Sequence, residues 1–340
     1  QMFDVELNTN TTTQTGSGKD LSAEMKTYYD KVLIRTAEAK LVHDQFGQKR
    51  PIPDRSGKTI EFRRFASLPK QMTPLTEGIT PDGQSVSVTA ITATLSQYGG
   101  YVVSSDLLEL TAIDNMLQET TKILGRQAGE TSDAITREVL AGGTNVRYAG
   151  GKTSRTNITA ADVLTVADIK KAVRDLKAKN AETINGYYIA IVHPDAVYDL
   201  WNDDEWIEAS KYAGAEQIFK GEIGKMYGVR FVESTEAKIW EVGEDTKKVS
   251  VYGTLVLGAN AYGVTTLGGR GIEHIVKQKG SAGTGDPLNQ RSSIGWKLLK
   301  TAKILVDEYM VRIEHSATLP SASLLYTSPS PRDPKTSRMP

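Results

Sequence analysis

"SLPKQMTPLTEGITPDGQSVSVTAITATL", residues 67–95, decides how the chain is read. A segment with three prolines leads into a polar strand in which Val86, Val88 and Ala90 alternate with Ser85, Ser87 and Thr89. Just before it lies a second strand-like run, "KTIEFRRF", Lys58 to Phe65. The two read as a long two-stranded arm with a wide tip. A lone hairpin buries little and is marginal in water, so this arm is expected to find its burial elsewhere. After Ala90 the phase flips, and Ile91, Ala93 and Leu95 become the apolar set. A period-2 pattern that changes face predicts a bulge, or a strand leaving one surface for another.

The rest of the chain limits what that partner is. At 340 residues, with 39% hydrophobic and 24% charged content, the composition is that of an ordinary globular chain. No apolar run approaches the roughly 18 residues of a membrane span, and the polar start does not read as a signal segment. There is no cysteine, which excludes disulfides and thiolate metal sites. Basic and acidic residues balance at 41 each, against a dedicated nucleic-acid binder though not against a protein that encloses DNA without gripping it.

Both ends stand apart. Gln1 precedes Met2, the expected start. "LLYTSPSPRDPKTSRMP", Leu324 to Pro340, has no apolar period and resembles a translated sequencing adapter. Without it the balance is 38 basic against 40 acidic residues, net −2.

Residues 1–20 are Thr- and Asn-rich and read as a mobile terminus. Residues 21–46 read as a helix stopped by Gly47, Pro51 and Pro53, so 21–53 forms an N-terminal arm. The hairpin arm occupies 54–103, with Gly99 and Gly100 marking a bend or a close backbone approach. Residues 114–141 give the best helix, with Leu117, Thr121, Leu124, Ala128, Thr131, Ile135 and Val139 on one face and Asp114 as cap. Its small-residue face, flanked by Gly125 and Gly129, suits a helix lying tightly along a sheet. It falls in a third unit, 104–150. A Gly-rich loop over 142–162 opens an α/β unit, 151–268. That unit holds a helix capped by Thr165 and Asp168, a buried strand Tyr187–Val192, a helix from 196 to 206, a strand 228–234 and a strand pair 250–267. Return strands fill 269–318, and 319–340 is the tail.

Chemistry-bearing residues do not assemble into a catalytic set. The four histidines, His43, His193, His274 and His315, have no ligand spacing. "HPD", 193–195, reads as a turn. "GSAGTGDP", 280–287, lacks the lysine and following helix of a phosphate loop. "NDDEW", 202–206, reads as a solvated helix end rather than a cation site. No Gly-x-Ser-x-Gly elbow and no His-Glu-x-x-His occurs. No cofactor or metal is expected.

The order of parts is similar to the HK97-like fold of tailed-phage major capsid proteins, an α+β class with an N-terminal arm, an extended β-hairpin loop, a long spine helix and an inserted α/β axial subdomain. "RTAEAKLVHDQFGQKRPIPDRSGKTIEFRRFASL", "LTEGITPDG", "SQYGGYVVSSDLLEL" and "DPLNQRSSIGWKLLKTAKILVDEYMVRIE" resemble the major capsid protein family of N4-like phages, over about Lys19 to Ser316. The resemblance implies hexamers and pentamers in an icosahedral shell around double-stranded DNA. It also implies portal, scaffolding or decoration partners, no membrane, and a place in the virion after assembly in the host cytoplasm. The arm would lie across a neighbouring subunit. Val86, Val88 and Ala90 would be covered there, with Arg63 and Arg64 at mid-arm and Glu77 and Asp82 near the tip making polar contacts. An encapsulin-like nanocompartment of the same fold, separable by an enzyme cargo and its loading peptide, is the alternative. A soluble α/β enzyme, which would be monomeric with a ligand-sized pocket, is the remote one.

Overall fold

The protein is described by a computed structural model covering residues 31–37, 41–52, 58–65, 68–75, 77–78, 80, 82–105, 116–212, 224–243, 248–266, 272–281 and 287–319. The expected N-terminal segment 1–20, Asp114 and the tail from 320 lie outside these residues.

Among the described residues, four sheets organise the chain. The largest has seven strands. Its path runs β5 (Val146–Tyr148), β15 (Met310–His315), β10 (Val249–Leu257), β6 (Tyr188–Val192), β8 (Val229–Glu233), β7 (Lys225–Met226), with β9 (Ile239–Val242) beside the start of β10. Its central strands are buried on both faces, which is why "YIAIV" is an unbroken apolar run. Ala190, Val192, Val256, Val311 and Ile313 face one core cluster. This is closed by helix α2 (Val166–Ala178), α3 (Pro194–Trp201) and α4 (Asp204–Tyr212), through Ile169, Leu176, Leu200 and Trp206. Ile189, Ile191, Leu255 and Leu257 face a second cluster on the other side, with Tyr262 and Leu140.

The spine helix α1 (Met116–Ala141) rises about 39 Å at 1.5 Å per residue. It packs on a three-stranded sheet, β12 (Ile272–Lys277), β13 (Arg291–Lys300) and β4 (Ser96–Ser105). Trp296 donates its indole N–H to Gln127 at 3.0 Å. A Cβ at Gly99 would stand 2.8 Å from the Trp296 carbonyl, and one at Gly100 2.9 Å from Gln127. The two glycines permit close approach, and β4 runs through them without a bend. Gly125 serves a different contact from the sheet expected. A Cβ there would lie 3.0 Å from the Leu33 carbonyl and from Thr36, so it admits the helical residues 31–37.

Several expectations change. The N-terminal helix does not reach 46, because residues 41–47 form turns and bends. The second half of the spine face is shifted: Ser132, Asp133, Thr136 and Leu140 are buried, while Thr131, Ile135 and Val139 are only half-buried. The reason is polar. Asp133 accepts from the backbone N–H groups of Val42 (2.8 Å) and His43 (2.7 Å) and meets the His43 ring nitrogen Nδ1 at 2.6 Å. Asp44 accepts from Ser132, from Thr136 and from the Lys300 ammonium. Burial draws the Lys300 pKa down, and Asp44 opposes that shift. The supposed loop 142–162 contains β5, paired in parallel with β15. The "strand pair" 250–267 is split, since β10 lies in the large sheet while β11 (Tyr262–Thr265) pairs with β1 (Gln48–Arg50) and β14 (Ala302–Ile304). The return strands also scatter, with β13, β14 and β15 joining three different sheets. The boundaries at 150/151 and 268/269 therefore do not divide the sheets, because β5 and β15 complete the one that holds β6, β8 and β10.

"HPD" starts a helix. His193 accepts from the Asp195 N–H at 3.2 Å, and Pro194 opens α3. In "NDDEW", Asp203 accepts from the backbone N–H groups of Glu205 (3.0 Å) and, across to α2, Val166 (3.0 Å). Tyr252 sits between two histidines, 5.0 Å from the His193 ring and stacked 6.0 Å from that of His315.

Two outcomes are expected. Lys300→Ala leaves Asp44 buried and unpaired, and should cost about 3–5 kcal/mol in urea unfolding. Adding Asp44→Asn should recover part of that loss. His315 is fully buried, which draws its pKa from 6.5 to about 4. The unfolded chain then takes up a proton that the native chain refuses. Stability should fall as pH drops through 6.5 and level off near 4, a loss of about 3 kcal/mol from this group. His315→Gln should flatten that part of the urea midpoint–pH curve relative to the wild type.

Candidate assembly surface

The arm is a regular two-stranded sheet. β2 (Thr59–Phe65) pairs antiparallel with β3 (Val88–Thr94), Thr59 opposite Thr94 and Phe65 opposite Val88. Leu95 then donates its N–H to the Lys58 carbonyl at 2.7 Å, and β3 leads directly into β4. The arm has a different burial on each face. Ile60, Phe62 and Ala93 are buried against Leu305 and Val306, with Ile91 and Leu95 packed beside them. Gly263 makes room for the Phe62 ring, since a Cβ there would approach it to 2.4 Å.

The opposite face carries Arg63, Val88 and Ala90, all exposed. The change of apolar phase therefore involves no bulge. The ladder is continuous from 59/94 to 65/88. The base of the arm buries one face on its own chain, and the apolar residues further out lie on the other.

The seven expected contact residues are all exposed, but they do not form one patch. Arg63 is opposite Ala90, and Val88 follows two residues along on that face. Arg64, opposite Thr89, points to the other face. Val86, Asp82 and Glu77 precede β3 outside any strand. Arg63 Nε lies 3.5 Å from Glu61 in a solvated pair, which fixes little by itself.

Sequence reasoning missed further apolar surface. Met72 is 85% and Leu75 76% exposed, and Leu68 is also exposed, within the irregular stretch between the two strands. Connections longer than about 12–15 residues without secondary structure are uncommon in compact domains unless they serve a function. Large apolar residues spaced along such a segment were the available signal. Tyr101, Val102 and Val103 are exposed in succession on β4, whose only strand partner among the described residues is β13. Open apolar edges invite pairing with another chain.

The described residues include no cluster of three or more His, Asp or Glu side chains placed to hold a metal. The arrangement offers binding surface.

Solved structures share this architecture. The capsid of Ralstonia phage GP4 superposes with a TM-score of 0.68 at 14% identity, covering 95% of this chain and all of that one. The cyanophage Pam1 capsid gives 0.63 at 13% identity over 93% of this chain and all of that one. The capsid of cyanophage P-SCSP1u gives 0.61 at 15% identity over 90% and 93%. No curated protein sequence matches the chain. The family described as phage capsid protein matches residues 104–283, more than half of the sequence. With an HK97-like fold and that match, the chain belongs to the phage capsid protein family and is a structural major capsid protein.

Proposed function

We propose that copies of this chain assemble through the arm into hexamers and pentamers of an icosahedral shell enclosing double-stranded DNA. The role is structural, with no bond made or broken. The observation that carries the reading is the arm itself, anchored at its base by Phe62 and left uncovered beyond it at Met72, Leu75, Val86 and Val88. A neighbouring subunit would cover this surface, with Arg63, Arg64, Glu77, Asp82 and Ala90 setting register. Rim charges of this kind contribute specificity more than affinity. Contacts repeated around closed symmetric rings then add up.

Within the subunit, 54–103 acts as the extended loop and 104–150 as the peripheral spine. The α/β unit around 151–268, completed by β5 and β15, lies toward the capsomer axis. The N4-like subfamily is the closest reading of the local strings. Portal and scaffolding or decoration proteins are the partners it calls for, with assembly in the host cytoplasm.

Deleting Leu68–Asp82 should leave a protein that folds with an unchanged urea midpoint but forms no megadalton particles, as read by light scattering after size-exclusion chromatography. Normal particles from that deletion would refute the role of the arm. Val86→Asp with Val88→Asp should reduce particle yield while shifting subunit stability by no more than about 0.5 kcal/mol, as expected for surface positions.

A further inference from the structure

A cavity of about 280 Å³ opens where the turn after the N-terminal helix meets the β7–β8 end of the large sheet. Its apolar wall is Phe46, Ile184 and Ile189. Two cations look into it, Lys225 and Arg230, which lie directly opposite each other in the β7–β8 ladder. Among the described residues, neither forms an ion pair and no carboxylate lines the cavity. The Lys225 ammonium stands 4.5 Å over the Tyr187 ring, which holds it at the rim. Asn185, in a left-handed turn with φ 52°, and Gln45 add side-chain amides.

We propose that this cavity binds the phosphate group of a nucleotide, free or within DNA. Two adjacent positive charges match a phosphate carrying between one and two negative charges, whereas a single carboxylate would leave one of them unbalanced. The Arg230 guanidinium supplies a planar fork of donors suited to two phosphate oxygens, and Lys225 a point charge. The cavity is larger than a phosphate alone requires. Phe46, Ile184 and Ile189 give the organic part of a nucleotide an apolar wall. Free nucleotide and the backbone of enclosed DNA both present this group, and the second source rests on the shell reading above.

The test is calorimetric titration of the full chain with inorganic phosphate, with thymidine monophosphate and with a short blunt DNA duplex, at low and raised salt. Three proteins are compared: wild type, Lys225→Ala with Arg230→Ala, and Lys303→Ala, which removes an exposed lysine of β14 outside the cavity. Both altered cavity residues are exposed, so a melting curve suffices to check the fold. The expected result is saturable binding of the mononucleotide or the duplex, weakened at least about tenfold in the double variant, as loss of charge-assisted hydrogen bonds predicts, and unchanged in Lys303→Ala. Binding of mononucleotide without duplex assigns the site to free nucleotide, and binding of duplex alone assigns it to DNA. Binding of inorganic phosphate alone, no saturable binding at all, or binding weakened equally by Lys303→Ala or untouched by the double variant, overturns the proposal. None of these results depends on whether shells form, so failure here is distinguishable from failure of the assembly reading.

Discussion

The buried ammonium of Lys300 is the constraint on which the arrangement of parts depends. It comes from the end of β13 and meets Asp44, from the turn that follows the N-terminal helix. Asp44 is also held by Ser132 and Thr136 of the spine helix. Three segments far apart in sequence therefore share one buried charge pair. Beside it, Asp133 fixes the backbone of Val42 and His43, and Tyr262 donates its hydroxyl to the His43 carbonyl. A buried pair is a weak source of net stability, but removing one member is costly. Such a site specifies one geometry: the turn, the helix and the sheet meet in this register or leave a charge unpaired.

A second polar knot does the same at the far end of the spine helix. Arg312 donates to the carbonyls of Ala141 and Gly143, occupying acceptors that a helix end leaves open. Its other nitrogen binds Glu314 at 2.8 Å, and Arg155 closes on the same carboxylate with two bonds of 2.7 and 2.6 Å. The Arg155 guanidinium stacks 3.8 Å over Trp240. The spine is thus pinned at two places in its C-terminal half, to β13 by one cluster and to β15 by the other. A rigid frame of this kind suits a protein whose arm must project from a fixed base.

The arm shows the opposite economy. Its base is a small apolar core around Phe62, and beyond it the chain carries apolar residues with nothing on the same chain to cover them. The exposed run on β4 continues this along the same path, since β3 passes into β4 through Leu95. A monomer would gain from covering these residues, and the sequence supplies no segment of the described chain that does so. The family match and the uncovered arm therefore point the same way, although they are independent observations.

Much of the local structure was legible in the sequence, because it depends on short-range rules. Thr165 and Asp168 cap α2, "YIAIV" is a buried strand, and β2 runs to Phe65, all as period and capping chemistry dictate. Alternation also marked Val88 and Ala90 as one face of β3, but that they would stand uncovered on their own chain was implied only by the family resemblance. Sheet membership was not legible, because β10 and β11 are neighbours in sequence yet pair with strands of different sheets. Nor was the polar half of the spine face. Ser132, Asp133 and Thr136 look like a solvated surface until His43 and Asp44 are brought to them across 90 and 88 residues and Lys300 reaches Asp44 across 256. Local sequence sets which backbone conformations are cheap. Which strands meet, and which polar residues go inside, is decided by partners that only the folded chain brings together.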